Sequence, residues 1–167
     1  MSSLHPEIFS EAQKTTWNLL DEFFPYGLLT GGTALALQLG HRKSYDFDFF
    51  TPKEIEPSLK NVVKRQLGIK EVLVDSIDEL SVVSSPGIKI SFIFYPFAPL
   101  YPSITLGNAQ LSDWRDIAAD KAYTIGRRGE WRDYVDVYFS IQSGHALPLL
   151  MADAAKKGKF KARHREI

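Results

Sequence analysis

The hydrophobic positions change period several times along the chain, and each change marks an element. Between residues 5 and 24 apolar side chains recur at Ile8, Phe9, Ala12, Trp17, Leu20 and Phe23/Phe24, spacing that suits one amphipathic helix stopped by Pro25. Residues 26–30 are a short apolar run that reads as a buried strand and delivers the chain to Gly31-Gly32. Residues 33–39, rich in Ala and Leu, read as a helix with Gly40 at its C-cap position. Residues 44–50 then alternate Asp46, Phe47, Asp48, Phe49, which is the period of a strand. After Pro52 the pattern predicts a helix over 55–67, closed by Gly68. Three strand-like runs follow, over 70–76, 80–84 and 88–95, with Pro86-Gly87 as a turn between the second and third.

Pro96, Pro99 and Pro102 interrupt regular structure before a short segment near 104–106. Beyond Ser112 the period is helical, with helices expected over 112–125, 131–142 and 147–156. Strands and helices mix first and helices alone follow, so the expected class is α+β (α/β mixed), a small mixed sheet with flanking helices and a helical C-terminal part. The expected division is 1–105 for the core and 106–167 for the helical part, or one continuous domain.

Composition narrows the choice. The 167 residues are 44 % hydrophobic, 13 % aromatic and 24 % charged, ordinary for a globular domain able to bury a core without a staple. The absence of cysteine excludes a disulfide framework, a thiolate metal site and a cysteine nucleophile. Twenty basic and twenty acidic residues cancel, but six of the basic ones (Lys156, Lys157, Lys159, Lys161, Arg163 and Arg165) crowd the last dozen positions. Such a tail either holds a phosphate backbone or nucleotide, or is a solvated basic helix. No stretch reaches the roughly 18–20 apolar residues of a membrane span, and the N-terminus lacks the apolar core of a secretory signal, so the expected location is cytoplasmic, with no membrane partner.

Two places carry chemistry. A strand that runs through Gly31-Gly32 into a helix presents backbone N–H groups at a helix N-terminus, where the dipole favours an anion, and Thr33 offers a further hydroxyl donor. The same glycines also serve simply to turn the chain. Asp46 and Asp48, two apart on a strand, project to one face while Phe47 and Phe49 enter the core. Like charges held side by side repel, and either a divalent cation between them, Mg²⁺ or Mn²⁺ by the preference for oxygen ligands, relieves that repulsion or the strand face is exposed and simply carries two acids. With Arg42 and Ser44 just before the pair, anion cradle and carboxylates together suit a nucleoside triphosphate held through a metal ion.

Gly31-Gly-Thr33, His41-Arg-Lys-Ser44 and Asp46-Phe-Asp48-Phe-Phe resemble the signature of the AbiEii/AbiGii-toxin nucleotidyltransferases, within the DNA polymerase β-like superfamily. The resemblance continues through Lys89-Ile-Ser-Phe92, Tyr95-Pro96, Asp116-Ile-Ala-Ala-Asp-Lys121 and Arg132-Asp-Tyr-Val-Asp136. It implies a nucleotidyltransferase-like fold and a toxin–antitoxin enzyme that moves a nucleotide from an NTP to an acceptor such as RNA, tRNA or protein, with a cognate antitoxin as partner. It further implies Asp46 and Asp48 as metal ligands, Gly31, Gly32, Thr33, Arg42 and Ser44 as nucleotide-binding residues, and Lys121 and Asp136 in the catalytic cleft.

Read without the family, Lys121 sits in an apolar helical stripe with Trp114, Ile117 and Ile125, so it snorkels, pairs with a carboxylate or reaches a phosphate. Arg132 and Asp136 stand at i,i+4, the spacing of a simple helix pair. One position departs from the superfamily. A third carboxylate is expected on the strand of 88–95, and Ser91 occupies its place. The expected substitute is Asp136, and the alternative is a catalytically impaired nucleotide- or phosphate-binding protein of the same fold.

Overall fold

A computed structural model describes residues 4–163. Seven strands form one mixed sheet in the order β3-β4-β5-β2-β1-β7-β6. The strands are β1 Leu28–Thr30, β2 Phe47–Thr51, β3 Ile69–Asp75, β4 Glu79–Ser84, β5 Lys89–Phe94, β6 Ile104–Leu106 and β7 Ala109–Leu111. The helices are α1 Glu11–Trp17, α2 Gly31–Leu39, α3 Pro57–Gln66, α4 Trp114–Arg128, α5 Trp131–Gln142 and α6 Leu147–Arg163. The pairings β2–β5 and β1–β7 are parallel and the rest antiparallel. The mixed α/β class expected from the sequence is the observed one.

Register sorts the two sheet faces. Phe49 lies beside Phe92 and Phe92 beside Leu80, while Phe47 lies beside Ile90 and Ile90 beside Val82. All six are buried, and Phe23 packs edge-on against Phe49 and Phe92, which makes this face the main core. The intervening residues point the other way, since side chains alternate along a strand. On that face Asp48 stands beside Ser91, and Ser91 beside Ser81.

The helix expected over 5–24 is broken into α1 and 3-10 turns at Pro6–Ile8, Leu20–Glu22 and Phe24–Tyr26. Ser10 and Gln13 form a capping box that restarts the chain at Glu11. Thr15 and Thr16 bond back to the carbonyls of Glu11 and Ala12, a competition that weakens the helix before Asn18. The hairpin partner β7 went unpredicted because three residues are too few to show a period. It pairs through Leu111 with Leu29 of β1, so the sheet extends past residue 105.

The C-terminal helices pack on one another around Ala118, Ala119 and Leu150. Lys157, read as part of a basic tail, is instead buried, with its ammonium 2.7 Å from Asp116 and 3.4 Å from Asp120. Asp116 also accepts the backbone N–H groups of Leu100 and Tyr101, tying the proline-rich segment to α4. Lys156 pairs with Asp153. Lys157 is therefore not free to follow a phosphate backbone, and the side chains of Lys159, Lys161, Arg163 and Arg165 lie outside the described residues.

Candidate active site

A cleft of about 380 Å³ opens on the polar face of the sheet, between the N-terminus of α2, strands β2, β4 and β5, and helix α4. Gly31, Gly32, Arg42, Ser44, Asp46, Asp48 and Lys121 line it, so residues chosen from four separate segments meet in one place.

The glycines are needed for different reasons. Gly31 has φ +70, and a Cβ there would lie 2.6 Å from an Asp48 carboxylate oxygen. Only glycine lets the backbone approach the aspartate this closely without strain. A Cβ at Gly32 would meet the Arg42 guanidinium at 2.5 Å and the Ser44 hydroxyl at 3.1 Å. The N-cap Thr30 makes no side-chain cap, which leaves the first N–H groups of α2 aimed at the cleft without a side-chain acceptor there.

Thr33 does not line the cleft. Its hydroxyl is buried, bonded to the Ser44 hydroxyl (2.9 Å) and to the Asp46 carbonyl. In this arrangement it ties the start of α2 to the segment that carries both carboxylates, in place of facing the cleft as a phosphate donor would. Gln13 adds a second tie, donating to the Ser44 carbonyl at 2.6 Å.

Asp46 and Asp48 share the cleft, as their spacing predicted. Burial, and then the charge of Asp46, push the Asp48 carboxyl above the usual carboxylate range. The charges of Lys89 and Lys121 and a hydrogen bond from Ser91 offset this only in part. An acidic pair so placed has unmet demand for positive charge. Hard oxygen donors of this kind fit Mg²⁺ or Mn²⁺. Among the described residues no three His, Asp or Glu side chains come together as a metal cage, and a cation on this pair would take its other ligands from substrate or water.

Asp136 stands elsewhere. It is fully buried in α5, where its carboxylate accepts from Arg42 Nε (2.7 Å) and Nη2 (2.9 Å) and contacts His41 Nε2 at 2.7 Å. Lys121 Nζ lies 3.1 Å away, and 2.6 Å from Asp133. Burial alone would raise the Asp136 carboxyl, but the bonds from His41 and Arg42 and the charges of Lys121 and Arg42 outweigh it and hold the group well below its ordinary range. The structure thus places Asp136 behind the cleft lining rather than beside Asp46 and Asp48, where it anchors Arg42 and Lys121 at the cleft wall. Arg132, the expected helix partner of Asp136, instead lies 3.9 Å from Glu130. Lys121 pairs with carboxylates rather than snorkelling.

Sequence reasoning passed over Lys89 and Glu79, which also line the cleft. Lys89 was within reach of it, standing two residues before Ser91 and so on the same strand face. Glu79 was not, because only the β4–β5 register brings it alongside.

The mixed sheet, the glycine turn into α2 and the paired aspartates together define the nucleotidyltransferase fold. Solved structures agree on that fold. The antibiotic-resistance factor ANT(2'')-Ia superposes with a TM-score of 0.66 at 16 % identity, covering 93 % of this chain and 94 % of that one. JHP933 from Helicobacter pylori gives 0.62 at 16 % identity over 86 % and 69 % of the two chains. The Megavirus polyadenylate synthase gives 0.55 at 13 % identity over 78 % of this chain and 30 % of that one. Residues 18–113, more than half the chain, match the family model described as nucleotidyl transferase AbiEii toxin, type IV TA system, and the chain belongs to that family. An uncharacterized protein of Aquifex aeolicus (strain VF5) is 35 % identical over 139 residues, and the match covers 80 % of this chain and 66 % of that protein.

Proposed function

We propose that this protein transfers a nucleotide from an NTP to an acceptor hydroxyl, on RNA, tRNA or protein, as the toxin of a toxin–antitoxin pair. The observation that carries this reading is the Asp46/Asp48 pair, held without an ion-pair partner among the described residues and facing the N–H groups of α2 across Gly31. In it, Asp46 and Asp48 hold Mg²⁺ or Mn²⁺, and the amides of Gly31 and Gly32 and the Ser44 hydroxyl take the triphosphate. Bound there, the metal would neutralise phosphate charge and orient the substrate. Arg42 and Lys121 keep positive charge at the same wall, each fixed by Asp136, so they meet developing negative charge without reorganising.

The family supports a toxin role and a cognate antitoxin partner. Among the described residues no helix is long and apolar enough to cross a membrane. A second reading rests on Ser91. If β5 lacks its carboxylate and nothing replaces it, the protein binds a nucleotide or phosphate without transferring it. Incubation with each labelled NTP, Mg²⁺ and total RNA separates the two. Label incorporated into RNA or protein, lost in Asp48→Asn, supports transfer, whereas NTP binding with no incorporation supports the binding protein.

A further inference from the structure

The place of the missing carboxylate is occupied by a chain of hydroxyls. Ser91, on β5, stands in register beside Asp48 at the cleft, and Ser81, on β4, stands in register beside Ser91. Both serines are 1 % exposed, and their hydroxyl oxygens are 2.9 Å apart. Ser81 Oγ lies 2.6 Å from Glu79 Oε1, and the Glu79 side chain reaches the cleft from two residues along the same strand face. Among the described residues that hydroxyl is the side-chain partner of Glu79, with no lysine or arginine paired to it.

The count of hydrogens gives the chain a direction. A carboxylate only accepts, so the single Ser81 hydrogen goes to Glu79. The link between the serines is donated by Ser91 when its hydrogen turns from Asp48 to Ser81. The Ser91 hydrogen has two acceptors in reach, Asp48 and Ser81. In the second orientation every link runs from Ser91, which lines the cleft, toward Glu79. Two buried serines cost folding energy unless their hydroxyls are satisfied, and here a carboxylate stands at each end of the row, Asp48 beside Ser91 and Glu79 beside Ser81.

We propose that Ser91 and Ser81 relay the acceptor's proton to Glu79, which takes the part of the absent third carboxylate. The acceptor O–H proton passes to Ser91 Oγ as the Ser91 proton passes to Ser81 Oγ and the Ser81 proton to Glu79 Oε1. The electron pair freed on the acceptor oxygen forms the new bond to the α-phosphorus. The bond from that phosphorus to the bridging oxygen breaks, and pyrophosphate leaves with its electron pair. This inference rests on the transfer reading and supplies the base that reading lacks.

The test is pyrophosphate release from each NTP with Mg²⁺ and total RNA, with NTP binding and melting temperature followed in parallel. Glu79→Gln keeps a hydrogen-bonding group at the end of the relay but cannot accept the proton, and kcat should fall roughly 100-fold with the KM for NTP unchanged. Ser81→Ala cuts the chain and should give the same loss, with no further loss when combined with Glu79→Gln. Ser91→Asp puts a carboxylate directly beside Asp48, and in that background Glu79→Gln should cost less than about twofold. Full activity in Ser81→Ala or Glu79→Gln overturns the relay while leaving the transfer reading intact. Equal loss from Glu79→Gln with and without Ser91→Asp also overturns it. A wild-type protein that binds Mg²⁺ and NTP yet releases no pyrophosphate overturns the transfer reading and the relay together.

Discussion

Two acidic pairs lie near one cleft wall and have opposite electrostatics. Asp133 and Asp136, one helical turn apart on α5, are buried against cations: Lys121 reaches both, and Arg42 grips Asp136 with two hydrogen bonds. Asp46 and Asp48, two apart at the start of β2, have no such partners among the described residues, and burial and mutual repulsion push Asp48 upward while Asp136 is held down. The residue type is the same, and what faces it decides its chemistry. A compensated pair braces the wall, and an uncompensated pair is left with capacity for a cation carried by a substrate.

Breaking the compensated pair should give the largest effect. Asp136→Ala strands Arg42 at a buried site while Lys121 keeps Asp133, and removing one partner of a buried pair costs about 3–5 kcal/mol. In a chain of this size that lowers Tm by roughly 10 °C or more, readable by thermal denaturation. The effect has a pH signature. A carboxylate depressed in the folded state stabilises the protein above its unfolded value of 3.8, and loses that contribution as pH falls below it. The stability gap between wild type and Asp136→Ala in urea titrations should therefore be full at pH 7 and narrow as pH drops through 3.8. A gap that widens toward acid would contradict the assignment.

Gly31→Ala comes next. It forces a left-handed conformation on alanine and drives a methyl against Asp48, at a cost of roughly 1–3 kcal/mol. Because the methyl displaces Asp48 itself, NTP affinity should fall together with stability. A loss of stability alone would mean that the glycine only turns the chain. The smallest effect, and the one of opposite sign, belongs to Asp48→Asn. Without metal or nucleotide this change relieves desolvation and repulsion, and the folded protein should gain about 1 kcal/mol. Destabilisation of the metal-free protein would place Asp48 with the compensated carboxylates.

Local signals were legible in the sequence and register was not. The alternation through Asp46, Phe47, Asp48 and Phe49 announced both the strand and its two faces, and Gly40, with φ +63 after Leu39, ends α2 where its C-cap role requires. Ser91 was singled out from its place on the strand, and the parallel β2–β5 pairing sets it beside Asp48. The partners of Asp136 come from a loop 94 and 95 residues away, a separation that no helical period reveals, so a pair with Arg132 looked adequate. Thr33 looked like a phosphate donor because nothing local shows that the Asp46 carbonyl and the Ser44 hydroxyl already engage it. Glu79 carried no motif at all, and its meaning comes from two strand registers and a pair of buried hydroxyls.

The contrast between the two acidic pairs is tested most directly by calorimetric titration of an NTP into wild type, Asp48→Asn and Asp46→Asn, each with and without Mg²⁺. If the uncompensated pair holds the metal, Mg²⁺ should tighten NTP binding in wild type, and that enhancement should vanish in both variants while all three remain folded. An equal enhancement by Mg²⁺ in wild type and both variants would contradict the assignment of the metal to Asp46 and Asp48.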